Sequence, residues 1–112
     1  MTACLQNLAG VLDKMPQLSF LGLIECPLSK DEAEAFGAAL SRRIELMEVH
    51  FQRCDLVDAS AQAVSRHLRL LPRLREVTMY RNAIDDTSAI RSIWVSSMAT
   101  VWDLNGNRKD FR

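Results

Sequence analysis

The residues that could act chemically are few and widely spaced. His50 and Cys54 stand four positions apart, a pair that could serve as imidazole base and thiol nucleophile if both faced one site. Cys4, Cys26 and Cys54 are an odd number with no CxxC spacing, and scattered as they are with the two histidines they do not supply four zinc ligands at suitable spacing. Asp103-x-Asn105-x-Asn107 has the spacing of the first ligands of a calcium loop, but Arg108 occupies the position where the turn glycine belongs and the chain stops short of the bidentate glutamate position. There is no phosphate-binding glycine loop and no nucleophile elbow. Arg66, Arg69, Arg73 and Arg75 form the one basic cluster, which reads as a solvated helical face. No catalytic residue, cofactor or metal ligand is expected.

The elements that position these side chains follow from an internal repeat. LSFLGLIECPL from Leu18, LMEVHFQRCDL from Leu46 and LREVTMYRNAI from Leu74 are separated by 28 residues each. Five columns agree in kind, including Leu21/Val49/Val77, Leu23/Phe51/Met79 and the turn column Cys26/Cys54/Asn82. Apolar residues at alternate positions predict a short strand with one buried face. After the turn the period becomes helical: Ala33, Phe36, Leu40 and Ile44 share a stripe, as do Ala61, Val64, Leu68 and Leu71, then Ile90, Ile93, Trp94, Ser97 and Met98. Ser29 with Glu32 predicts a capping box, and Asp58 and Asp86 are expected N-caps. Leu5, Leu8 and Leu12 lie one period before Ala33, Phe36 and Leu40, so the chain is expected to open on the helical half of a repeat. A last strand lies in VWDLNGN, with two registers available. The preferred one shortens the third repeat, places Trp102 and Leu104 in the core and Asn107 in the turn column, and keeps Gly106 out of the core.

The pattern LxxLxLxx(C/N)xL followed by a helix, with its 28-residue step, resembles the ribonuclease-inhibitor-type leucine-rich repeat over residues 5–107. The resemblance implies an α/β leucine-rich-repeat solenoid, with a parallel β-sheet on the concave side and α-helices on the convex side, in about three repeats plus partial ends. It also implies that the turn column (Cys26, Cys54, Asn82 and Asn107) is structural. The whole chain, residues 1–112, reads as one such domain. Because neither end carries a dedicated cap, it is expected to be a piece of a longer repeat array or a subunit docked by its ends.

Alternation then sorts the strand residues. With the apolar pairs inside, the concave columns are Phe20/Glu48/Glu76, Gly22/His50/Thr78 and Ile24/Gln52/Tyr80. Asp103 and Asn105 face outward from the last strand in either register, and Glu25, Arg53 and Arg81 form a rim. His50 and Cys54 therefore diverge, which removes the nucleophile pair. Cys26 and Cys54 sit on adjacent rungs where a bridge is conceivable, but free thiols are expected in a reducing compartment.

The expected partner-binding residues are thus Phe20, Ile24, Glu48, His50, Gln52, Arg53, Glu76, Thr78, Tyr80, Arg81, Asp103 and Asn105. The competing reading of the charges is that Glu48 and Glu76 pair with Arg53 and Arg81 and only keep the sheet soluble. The expected function is a non-catalytic protein–protein interaction module. Its rivals are a regulator of a small GTPase, as the resemblance to Ran GTPase-activating protein would imply, and a structural subunit docked through Phe20 and Ile24. Equal numbers of basic and acidic residues, 14 each, argue against a nucleic-acid partner. The absence of a long apolar run argues against a membrane span. The expected location is intracellular, in the cytoplasm.

Overall fold

In the computed structural model, which describes residues 2–3, 10 and 12–107, the alternating apolar segments form one parallel sheet. Its strands are β1 (Thr2–Ala3), β2 (Phe20–Ile24), β3 (Glu48–Gln52), β4 (Glu76–Thr78) and β5 (Val101–Asp103), in spatial order β1-β2-β3-β4-β5. Among the described residues, the strands from β2 onward are connected by three helices: α1 (Lys30–Leu40), α2 (Asp58–Leu68) and α3 (Thr87–Val95). The chain is therefore α/β, with each strand laid beside its predecessor in sequence.

One core joins the two layers. Leu21, Leu23, Val49, Phe51, Val77 and Met79 from the sheet are buried with Ala33, Phe36, Leu40, Ala61, Val64, Leu68, Ile90 and Trp94 from the helices. Phe36 meets Phe51 edge-on, with ring centroids 6.2 Å apart, a preferred aromatic geometry. This is why the strands alternate: one side chain in two is needed to cover the helices, and the other is left outside.

The turn column is fastened by hydrogen bonds between rungs. Asn82 Oδ1 accepts from the N–H groups of Cys54 (2.8 Å) and Leu56 (3.1 Å), while Asn82 Nδ2 donates to the carbonyls of Phe51 and Tyr80, both at 3.0 Å. Asn107 repeats the arrangement one rung on: its Nδ2 donates to Met79 O and Leu104 O, and its Oδ1 accepts from Ile84 N–H. Cys54 does a weaker version, its thiol lying 3.4 Å from Leu23 O and 3.5 Å from Gln52 O. Buried backbone groups need partners, and an amide supplies donors and an acceptor together, where a thiol is a weak donor and weak acceptor.

Asn107 in this column decides the register of the last strand. Val77 pairs with Trp102 and Thr78 with Asp103, so the final step from Asn82 to Asn107 is 25 residues rather than 28. Just before the turn column, Glu25, Arg53, Arg81 and Gly106 all have positive φ (53°, 54°, 55° and 79°). Three non-glycine residues occupy the left-handed region at equivalent places. There the N–H groups of Glu25, Arg53 and Arg81 still reach the next rung, donating to Gln52 O, Tyr80 O and Asn105 O.

Several expectations need correction. Described residues begin with a strand: Thr2 pairs with Gly22 and Ala3 with Leu23, so the edge of β2 is met by the chain itself. Leu12 is buried as expected; Leu5 and Leu8 lie outside the described residues. Ile44 is 58% exposed, because α1 ends at Leu40 and the chain leaves the 3.6-residue stripe. Arg43 is buried in that turn, donating from Nη1 to Leu12 O at 2.6 Å. Met98 is likewise exposed, since α3 ends at Val95 and Ala99 takes the buried place. The capping box of Ser29 and Glu32 forms, and Asp86 caps α3. Asp58 does not cap α2. It is the first helical residue, and its Oδ1 accepts from the N–H groups of Asp85 and Asp86 in the next repeat, while Ser60 Oγ accepts from Val57 N–H.

Candidate functional site

Pairing in register lays residues 28 apart side by side on the face of the sheet away from the helices. Phe20 lies beside Glu48 and Glu48 beside Glu76; Gly22, His50 and Thr78 form the next column; Ile24 lies beside Gln52. The last strand adds Val101 beside Glu76 and Asp103 beside Thr78. Phe20, Ile24 and Val101 are all more than 40% exposed, so two apolar side chains border one end of this face and a third borders the other. Val101 is an addition to the residues expected on this face; the shortened third repeat, which sets Trp102 beside Val77, brings it there.

His50 is the centre of the face. Its ring lies 5.2 Å from that of Phe20, tilted by 45°. Nδ1 is 2.7 Å from Thr78 Oγ1, and Nε2 lies 3.5 Å from Glu48 Oε2 and 3.6 Å from Glu76 Oε2. Thr78, expected to meet a partner, is instead buried, its hydroxyl hydrogen-bonded to the His50 ring. Arg75 approaches the other oxygen of Glu48, with Nη2 3.7 Å from Oε1.

Further along, the Tyr80 hydroxyl donates to Asp103 Oδ2 at 3.2 Å. Desolvation, followed by this hydrogen bond and the Asp103 charge, pushes the Tyr80 phenol above its usual value. Phe20, Gly22, Ile24, His50, Gln52, Thr78 and Tyr80 enclose a depression of about 210 Å³. A second depression is formed by Gln52, Tyr80, Arg81, Asn105 and Gly106. The charges pair differently from the competing reading: Arg53 meets Glu25, not Glu48 or Glu76, at 3.4 Å between exposed side chains, which contributes little.

The remaining sequence candidates separate. Cys54 is buried on the far side of the sheet from His50, and loss of solvent raises its thiol pKa above the ordinary value, so the two do not form a nucleophile pair. Cys54 is a free thiol while Cys26 is disulfide-bonded; the two rungs are not bridged to each other, and the expectation of free thiols fails at Cys26. Asn107 points into the core instead of converging with Asp103 and Asn105. In the basic cluster, Arg66 donates to Gln62, Arg73 to Glu45 at 2.6 Å, and Arg75 lies beside Glu48, which disperses it. His67 packs across the helix row, with Nε2 2.8 Å from Glu34 Oε2. Among the described residues, no helix is long and apolar enough to cross a membrane.

Comparison with known proteins adds no relative: no family model matches the chain, and no curated protein or solved structure is significantly similar to it.

Proposed function

We propose that this chain is a non-catalytic protein-binding module, a leucine-rich-repeat solenoid that takes a protein partner on the open, concave face of its sheet. The observation that carries this reading is the composition of that face. Exposed Phe20, Ile24 and Val101 flank the polar group of Glu48, His50, Glu76 and Tyr80, a mixture of apolar anchors and directional charge suited to a specific interface. Pairing of β1 with β2 weighs against docking by a bare first strand, and so favours the face over the end.

The test is co-purification of the tagged chain from its own cells, comparing wild type with Tyr80→Ala, Phe20→Asp and the helix-side control Arg69→Glu. A partner kept by wild type and Arg69→Glu but lost with Tyr80→Ala supports face binding. Loss with Phe20→Asp alone would move the contact to the β2 end. A chain that stays monomeric and retains no partner would remove the proposal.

A further inference from the structure

The group at the middle of the open face is more than a charged patch. Glu48 and Glu76 are direct neighbours on adjacent strands, an arrangement in which like charges repel. Yet both turn an oxygen toward the same point, and an imidazole nitrogen joins them there. The His50 Nε2, Glu48 Oε2 and Glu76 Oε2 contacts of 3.5 and 3.6 Å are close to the edge of a tetrahedron, roughly 3.4 Å when metal–ligand bonds are about 2.0–2.1 Å. Ligand atoms of all three residues fall within 4.8 Å of one another.

The surroundings favour the same use. Thr78 Oγ1, 2.7 Å from His50 Nδ1 and itself buried, can accept the Nδ1 proton and leave Nε2 as the ligand nitrogen; such an outer partner orients metal-bound histidines. Phe20 packs against the ring and restricts it further. Arg75 faces Oε1 of Glu48, not the converging Oε2, so the pointed-in oxygen keeps its direction. An imidazole with two carboxylates suits a borderline transition cation better than magnesium or calcium, which prefer oxygen alone.

We infer that Glu48, His50 and Glu76 form a binding site for a divalent transition cation of the zinc class, with three protein ligands and a position left open toward solvent. The carboxylates carry two negative charges against the cation's two positive ones, so the like-charge repulsion between adjacent rungs is relieved on binding. This site does not depend on a protein partner, though its open position faces the surface proposed to receive one.

Calorimetric titration of chelator-treated protein with zinc chloride, and separately with magnesium chloride, tests it. One zinc ion per chain is expected, with affinity falling about tenfold or more in both His50→Ala and Glu76→Gln, little binding of magnesium, and no change in His67→Ala. Zinc should also raise the thermal midpoint of wild type but not of Glu76→Gln, a substitution at a partly exposed side chain that leaves the core intact. The inference is overturned if wild type shows no saturable zinc binding, or if binding survives both substitutions and the ion therefore sits elsewhere. It is equally overturned if magnesium binds as well as zinc and His50→Ala changes nothing, which would mean a diffuse counter-ion at an acidic surface. The third possibility, an imidazolium merely bridging two glutamates, predicts the first of these results.

Discussion

The turn column and the open face are built from the same rungs, yet they obey different rules. At the turn, Asn82 sits among buried backbone groups and uses its amide on four of them. A few residues earlier on the same rung, Glu76 projects to the other side, partly exposed, its Oε2 lying 3.6 Å from His50 Nε2. One position is dictated by buried backbone N–H and C=O groups that need a partner, the other only by its neighbours on an exposed face. The difference separates residues that hold the rungs together from residues that leave the open face exposed.

The sharpest way to break that contrast is to shorten both side chains. Asn82→Ala strands buried donors and acceptors and is expected to cost about 3 kcal/mol, whereas Glu76→Gln should change stability by under about 0.5 kcal/mol; urea unfolding of the two variants measures both. Asn82→Cys should fall between, since Cys54 already fills the equivalent place with weak thiol contacts. A result in which Asn82→Ala is as mild as Glu76→Gln would dissolve the distinction.

A smaller effect tests the left-handed position that lies between the two regions. Gly106 has φ of 79°, and a methyl group there would come 2.8 Å from Arg81 Cγ and 3.2 Å from Arg81 N. Gly106→Ala is therefore expected to destabilise by about 1–2 kcal/mol, read from its thermal midpoint. The flexible end of Arg81 can move aside, but its backbone cannot, so the cost should persist in the double variant with Arg81→Ala.

The smallest effect is a pH dependence to which the turn side contributes through Cys54. Burial raises the Cys54 thiol above its ordinary value, so the neutral form is the one favoured by folding. Its contribution is complete below the unfolded thiol value and is lost as pH rises through the folded one. Stability should consequently decline from neutral into alkaline solution, and Cys54→Ala should flatten part of that decline. The residual slope includes Tyr80, whose phenol is raised in the same direction by desolvation and by Asp103. An unchanged slope in Cys54→Ala would show that the thiol stays solvated.

Most of the strand arrangement was legible because a period of two is a local property. Leu21, Leu23, Val49 and Phe51 declare an inner face whatever lies beside them, and the chemistry of Asn107 was enough to choose the last register. Helix ends were less legible: Ile44 and Met98 continue an apolar stripe on paper, but the helices stop at Leu40 and Val95, and a stripe has no meaning beyond the last turn. Asp58 has the composition of an N-cap, yet its Oδ1 accepts instead from the N–H groups of Asp85 and Asp86 in the next repeat.

Sequence by itself determined which side chains of each rung point in or out, and that residues 28 apart share a column. Only the tertiary structure decided what meets across the columns: that Thr78 is buried and bonded to His50, and that two carboxylates and an imidazole come within 4.8 Å of one another. Local spacing specifies direction along a strand. Convergence depends on neighbouring strands, side-chain torsions and the contacts that select them, and those exist only once the rungs are stacked.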